Sequence, residues 1–252
     1  MGRVAIVTGA TGGLGMEFIN SINSWNDIDE IWAIGRNIDK LNTLSSLYSK
    51  VRTICADLLD NGMELISDRL NKEHPDVRLL INNAGIGYLG LYEDMDSQKV
   101  QNFCNLNCTI PSMLITLVLP YMREGSGILN ISSASSFQPN PYLAIYSASK
   151  VYLKNLSRAL YVELKPKHIN VTSVCPGWID TEMLPKENNG KKIKYTGIIS
   201  AKKVVSKALK DNLKGKDMST PGLFSKYFRF YSKVTPTRIV MSQWKHIIRK
   251  YM

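Results

Sequence analysis

Arg3-Val-Ala-Ile-Val-Thr-Gly9-Ala-Thr-Gly-Gly-Leu-Gly15 is the stretch on which the fold turns. Residues 3–8 form a short apolar run of the kind a fully buried strand shows. A glycine-rich turn follows, and an amphipathic helical pattern then runs to about Ile22. Strand, glycine turn and helix in that order make a phosphate cradle. Glycines let the backbone approach a pyrophosphate, and the helix N-terminus supplies N–H donors and the positive end of a dipole. The spacing is Gly-xxx-Gly-x-Gly on Gly9, Gly13 and Gly15, not the standard Gly-x-Gly-x-x-Gly, and a glycine loop alone is weak evidence against a plain turn.

The alternation continues downstream. Glu30–Gly35 reads as a second strand, with Arg36 and Asn37 before a helix to about Leu47. Val51–Ala56 is a third strand, ending in Asp57-Leu58, and a helix near Gly62–Lys72 leads to Val77–Asn82 and then Asn83-Ala84-Gly85. A long helical region covers about Ser97–Met122. A β-prone run then ends in Ser132 and Ser133, a helix spans about Tyr142–Leu164, and Ile169–Cys175 is a further strand before Pro176–Thr181. This β–α succession predicts one α/β domain, a doubly wound parallel sheet with helices on both faces. Ligands of such sheets lie beyond the strand C-termini. The glycine loop, Arg36, Asp57, Asn83, Ser133 and Pro176–Thr181 all fall at those ends.

Several of these residues carry chemistry. An acidic residue ending the second strand would bond a ribose 2′-OH, but Gly35 stands there with Arg36 beside it, and a guanidinium suits a 2′-phosphate. That favours NADP(H), against an ordinary exposed arginine; Asp39 reads as a helix cap. Asp57 is placed to accept from an adenine amino group or to cap a helix. Asn105 and Asn107 are polar in a mostly apolar helix and need partners. Pro111 deprives the Asn107 carbonyl of its helical donor and predicts a kink. Tyr146 and Lys150, four apart, share a helix face, and an adjacent ammonium stabilises a phenolate. Such a pair is structural in most helices unless its surroundings say otherwise.

The 252 residues, 44% of them hydrophobic, are enough for one large core. No apolar run is expected to reach the roughly 18–20 residues of a membrane span. The strand beginning by Val4 leaves no room for a signal peptide, and Met1-Gly2 lacks the Ser or Thr at position 6 that myristoylation wants. Cys55, Cys104, Cys108 and Cys175 sit in apolar sequence contexts and read as buried thiols of a reducing cytoplasm. With His74, His168 and His246 scattered, no metal site is expected. Charge is uneven. Residues 1–185 hold 15 Lys/Arg against 18 Asp/Glu, a net of −3; residues 186–252 hold 17 against 3, a net of +14. Such asymmetry signals nucleic acid or an anionic membrane surface, and no nucleic-acid motif accompanies it.

Together the motifs resemble the short-chain dehydrogenase/reductase family over about residues 3–210. Thr8–Gly15 resembles its Thr-Gly-xxx-Gly-x-Gly, Asn82–Gly85 its Asn-Asn-Ala-Gly, and Ser133 with Tyr146 and Lys150 its Ser plus Tyr-xxx-Lys; Pro176-Gly177 followed by Thr181 also fits. The resemblance implies a Rossmann-type domain over 1–210 and a catalytic group of Ser133, Tyr146, Lys150 and Asn107. In it, Tyr146 moves a proton on the substrate oxygen, Lys150 lowers the tyrosine pKa and holds the nicotinamide ribose, Ser133 orients the carbonyl and Asn107 anchors a relay water. Of the two serines, Ser133 has the family's spacing to the tyrosine; Asn107 is preferred over Asn105. The expected cofactor contacts are Gly9, Thr11, Gly12, Gly13, Leu14, Gly15, Arg36, Asp57, Leu58, Asn83, Tyr146, Lys150, Ile179 and Thr181. The reading is an NADP(H)-dependent reductase or dehydrogenase of a fairly apolar carbonyl or alcohol (steroid, long-chain acyl or retinoid-like), expected as a homo-oligomer. The competing reading is a non-catalytic NADP sensor or a membrane-associated scaffold.

After Thr181 the family pattern fades. Residues of about 182–200 occupy the place of a substrate lid, and 211–252 form a basic helical extension. Phe224, Tyr227, Phe228 and Tyr231 recur at helical spacing. Thr235 as N-cap and Pro236 at N1 then start a helix with Val240, Trp244, Ile247, Ile248 and Tyr251 opposite Arg238, Lys245, Arg249 and Lys250. The extension caps the substrate pocket or a subunit interface, lies on a membrane surface, or is a solvated face.

Overall fold

The computed structural model describes residues 2–182, 184, 187–188 and 191–249. Strands β1 (Arg3–Thr8), β2 (Glu30–Gly35), β3 (Val51–Cys55), β4 (Asp76–Asn82), β5 (Gly127–Ile131) and β6 (Asn170–Val174) alternate with helices α1 (Gly13–Ile22), α2 (Ile38–Leu47), α3 (Gly62–Glu73), α4 (Ser97–Cys104), α5 (Ile110–Val118) and α6 (Ala144–Glu163). Short strands β7 (Ile179–Asp180), β8 (Glu187–Asn188), β9 (Lys191–Lys192) and β10 (Ile199–Ser200) precede α7 (Ala201–Leu213), β11 (Met218–Ser219), α8 (Leu223–Val234) and α9 (Thr237–Ile248). The main sheet has seven strands in the order β11-β6-β5-β4-β1-β2-β3, and every pairing within it is parallel.

The strands are apolar at nearly every position because helices cover both faces. Successive side chains alternate across a sheet. Ala5, Val7, Ile31 and Ala33 meet Phe18, Ile19, Leu41, Val204 and Val205 on one face. Val4, Ile6, Trp32 and Ile34 meet Ile66, Leu70, Leu114 and Ile115 on the other. The chain leaves β1 towards β2 and β3, then crosses back to β4 and continues to β5 and β6. The order therefore reverses between β1 and β4, and the crevice beyond their C-termini is where such sheets take ligands.

Five expectations need correction. Ser97–Tyr121 is a continuous helical segment of 25 residues, long and apolar enough by length and composition to cross a membrane. Its Phe103, Ile110, Leu114, Ile115 and Val118 are buried, and the last four of these join the core beneath β4 and β5, which accounts for much of that apolar content. Cys55 and Cys104 are exposed and Cys108 half-buried; of the four thiols only Cys175 is buried. The α2 cap is Asn37, whose side chain accepts from Lys40 N at 2.8 Å, and Asp39 lies inside the first turn. At α9 the N-cap is Pro236, because Thr235 closes the preceding helix with its N–H on Tyr231 O. Ile247, expected on the inward stripe, is exposed, while Val240, Trp244 and Ile248 are buried. Tyr251 and Lys250 lie outside the described residues, as does part of the expected lid.

Candidate functional site

The glycine loop owes its shape to contacts no other residue would allow. Gly9 has φ +62°, and a methyl group on Gly15 would stand 2.2 Å from Gly9 O. Gly12 caps α1 without a side-chain hydrogen bond, and the first turn holds no acidic residue. The first N–H groups of α1 are thus left for an anionic ligand. Thr8 and Asn83 brace the crevice. Thr8 Oγ1 accepts from Asn83 N and Ala84 N, both at 3.0 Å, and Asn83 Nδ2 donates to Thr8 O and Gly9 O at 3.0 and 3.1 Å. The Asn83 side chain is therefore committed to the loop, and its backbone is what remains to face a ligand. Thr181 borders the same crevice, 3.2 Å from where a Gly13 side chain would start, and Thr11 packs in the same way on Gly35. A backbone cradle of this kind fits a dinucleotide.

At the end of β2, Arg36 is exposed and its Nη1 lies 3.6 Å from Asp57 Oδ2. Asp57 also accepts Leu59 N at 3.0 Å through its other oxygen. Leu58 is buried in the core, so its backbone alone can reach a ligand. Ile179 pairs with Ile199 and packs on the core. Among the described lid residues, Glu182 meets Lys40 at 3.3 Å and Tyr195 lies with its ring centroid 4.9 Å from that of Trp178.

Ser133, Tyr146, Lys150 and Asn107 converge at the C-terminal end of β5. Ser133 Oγ accepts Ser135 N at 3.1 Å, leaving its proton free to donate. Tyr146 is partly buried; burial pushes its phenol pKa up, and the hydrogen bond with Ser133 acts in the opposite sense. Lys150 Nζ donates to Ile131 O at 2.9 Å and stands 5.6 Å from the Tyr146 ring centroid. Burial lowers its pKa to about 8. Of the two influences on the phenol, burial is the larger, so the net direction is upward. Ser132 is not interchangeable with Ser133, since its hydroxyl bonds Lys150 O at 2.7 Å and anchors α6.

Asn107 lies in a π-helical turn, Asn105–Thr109, between α4 and α5. Ile110 N reaches back to Asn105 O, and Pro111, which has no N–H, follows at once. The expected kink takes this form. The Asn107 side chain accepts from Ile86 N at 2.9 Å and donates to Ile86 O at 2.9 Å and Ser149 Oγ at 3.2 Å. It thereby clamps the loop after β4 onto α6. A methyl on Gly85 would sit 3.0 Å from Asn107 Oδ1 and 3.4 Å from Lys150 Nζ, so this loop closes tightly over both.

Sequence reasoning missed the aromatic wall beside Tyr146. Leu143, Trp244 and Ile248 form a cluster with Leu89, Tyr142, Tyr146, Trp178 and Phe228. Trp178 and Trp244 stack at 6.4 Å, and Trp244 Nε1 donates to Pro141 O at 3.0 Å. Tyr142 is held at φ +66°, where a bulky residue is an outlier, with its carbonyl accepting Gly90 N at 3.0 Å. Next to it a cavity of about 150 Å³ is lined by Tyr88, Leu91, Tyr92, Tyr142 and Ile145. Phe228, Trp244 and Ile248 were legible as helical stripes, whereas Trp178, which joins them to Tyr146, was not singled out.

A glycine-loop crevice facing a Tyr/Lys pair and an apolar wall, at the C-terminal edge of a doubly wound parallel sheet, defines a Rossmann-type α/β protein. The chain belongs to the short chain dehydrogenase family, whose model matches residues 3–192. It is 33% identical over 196 residues to the human inactive hydroxysteroid dehydrogenase-like protein 1, covering 74% of this chain and 59% of that protein. It is also 33% identical over 196 residues to the very-long-chain 3-oxoacyl-CoA reductase of Anas platyrhynchos, covering 73% of this chain and 62% of that one. The chain thus spans about three-fifths of the length of these relatives. A solved short-chain dehydrogenase from Sphingobium yanoikuyae, in complex with NADPH, superposes with a TM-score of 0.78 at 23% identity, covering 92% of this chain and 93% of that one.

Proposed function

We propose that this chain transfers a hydride between NADP(H) and a carbonyl or secondary alcohol of a fairly apolar substrate. The observation that carries the reading is the convergence of Ser133, Tyr146 and Lys150 opposite an uncapped glycine-loop helix, beside the Trp178–Trp244 wall. The nicotinamide supplies or takes the hydride. Tyr146 Oη gives a proton to the substrate oxygen, or takes it in the reverse direction, as general acid or base. Ser133, whose oxygen already accepts Ser135 N–H, donates its proton to the same oxygen and orients it. Lys150 keeps two protons beyond the one on Ile131 O and would hold ribose hydroxyls. Asn107 positions the Ile86 loop; its main-chain carbonyl, which Pro111 cannot serve, is the group suited to anchor a relay water. Gly9, Gly13, Gly15 and the start of α1 would hold the pyrophosphate. Arg36 would meet a 2′-phosphate, exchanging its exposed contact with Asp57. The aromatic wall favours a steroid, long-chain acyl or retinoid-like skeleton.

Tyr146→Phe should lower turnover at least a thousandfold while NADPH still binds; near-normal activity refutes the mechanism. In the same assays Arg36→Asp should shift the NADPH/NADH preference towards NADH by at least tenfold, and an unchanged ratio refutes the choice of cofactor. One relative is named as inactive, which favours a second reading, a non-catalytic NADP sensor. That reading requires NADPH binding with no turnover by the wild-type chain on any of a panel of steroid, retinal and 3-oxoacyl substrates.

A further inference from the structure

We propose that the outward face of α8 docks on an anionic lipid bilayer. The helix has two apolar faces with different fates. Phe228 turns inward to the aromatic cluster beside Tyr146, and Ser225 is buried with it. Leu223, Tyr227, Phe230 and Val234 turn outward, between 60 and 83% exposed. Their spacing of four, three and four residues places them within an arc of about 60° along about 16 Å of helix. Lys226, Arg229 and Lys233 occupy the adjoining arc, all exposed, and none forms an ion pair among the described residues. The Tyr227 and Tyr231 rings stack at 5.8 Å, and Tyr231 Oη bonds Gln243 Oε1 at 2.5 Å, so the face is braced against α9.

Charge selects the occupant. Residues 218–249 contain six Lys or Arg and no Asp or Glu. A second copy meeting this face with the same face would set cation against cation, and the carboxylates of the groove that Lys226 and Arg229 border, Asp211 and Asp217, are already paired with Lys207, Lys216 and Arg158. An anionic bilayer answers both halves of the pattern. Leucine, valine and phenylalanine enter the headgroup boundary, tyrosine lies at the interface, and lysine stems reach the phosphates. Each Lys or Arg near such a surface adds roughly fivefold to partitioning. The arrangement places a helix that walls the substrate side against the phase in which apolar ketones dissolve.

The full chain, loaded with NADPH, is to be co-sedimented with vesicles of phosphatidylcholine alone and of equal phosphatidylcholine and phosphatidylglycerol, at low and high salt. Binding to the anionic vesicles alone, lost at high salt, is expected. Tyr227→Ser with Phe230→Ser should weaken it at least tenfold. Lys226→Gln, Arg229→Gln and Lys233→Gln together should weaken it roughly a hundredfold. NADPH binding and turnover of a soluble ketone should stay unchanged in both variants, so this test and that of the catalytic reading fail separately. Wild-type binding no better than background, or variants that bind like wild type, would overturn the proposal. So would light scattering in which Tyr227→Ser with Phe230→Ser turns a dimer into monomers, since α8 would then be a subunit interface.

Discussion

Lys150 is 6% exposed and donates one hydrogen bond among the described residues, to Ile131 O. Burial disfavours its charged form and brings the pKa from 10.5 to about 8. The sign of the stability effect follows. Between the folded and the ordinary value the unfolded chain binds more protons, so stability rises with pH across about 8 to 10.5. Below pH 8 the full penalty is present, up to about 3 kcal/mol, part of it offset by the Ile131 bond. Lys150→Met should therefore stabilise the fold by about 1–2 kcal/mol at pH 7 while ending turnover. The gap from wild type in urea midpoint should close as pH approaches 10.5. A gap that stays constant with pH would show that the ammonium costs the fold nothing. A buried crevice lysine whose charge costs the fold stability supports the role proposed for Lys150.

At the scale of elements, what could be read in advance depended on whether the signal was local. Val4–Val7 and Ile31–Ile34 announce buried strands because both sheet faces are covered, and the glycine loop announces its turn because Gly15 has no room for a side chain. The break before Pro111 was equally local. Its form as a π-turn, and the clamp of Asn107 on Ile86, needed the partner loop 21 residues away. Caps were harder. Asn37 and Asp39 both satisfy the composition rule for a helix start, and the phase of the hydrogen bonds on Lys40 N decides between them. Thr235 before Pro236 reads as a cap by sequence, yet a helix ending at Val234 had already claimed it. The exposed Cys55 and Cys104 show the same limit, since an apolar neighbourhood in sequence does not say which way one side chain points.

Across the whole molecule the decisive contact is the least local. Trp178 follows β6 and Trp244 lies on α9, 66 residues further on, and no periodicity links them. Their stack, with Phe228 at 6.5 Å from Trp244, brings the C-terminal extension over the turn that precedes Tyr146. Of the three roles read for that extension, closing the substrate side is the one these contacts support for α9, while α8 keeps its outer face for another surface. Trp244 also fixes the turn itself through Nε1 on Pro141 O. Trp244→Ala should therefore remove the wall and loosen the turn together, costing about 3–5 kcal/mol of local packing. The expected kinetic result is a split: KM for a bulky apolar ketone at least tenfold higher, with kcat/KM for a small ketone and NADPH affinity close to wild type. Trp244→Phe, which keeps a ring but lacks the N–H, should fall between the two. Equal losses on bulky and small ketones would instead make α9 a general prop for Tyr146, and substrate choice would then have to come from the Tyr88–Tyr92 side of the cavity.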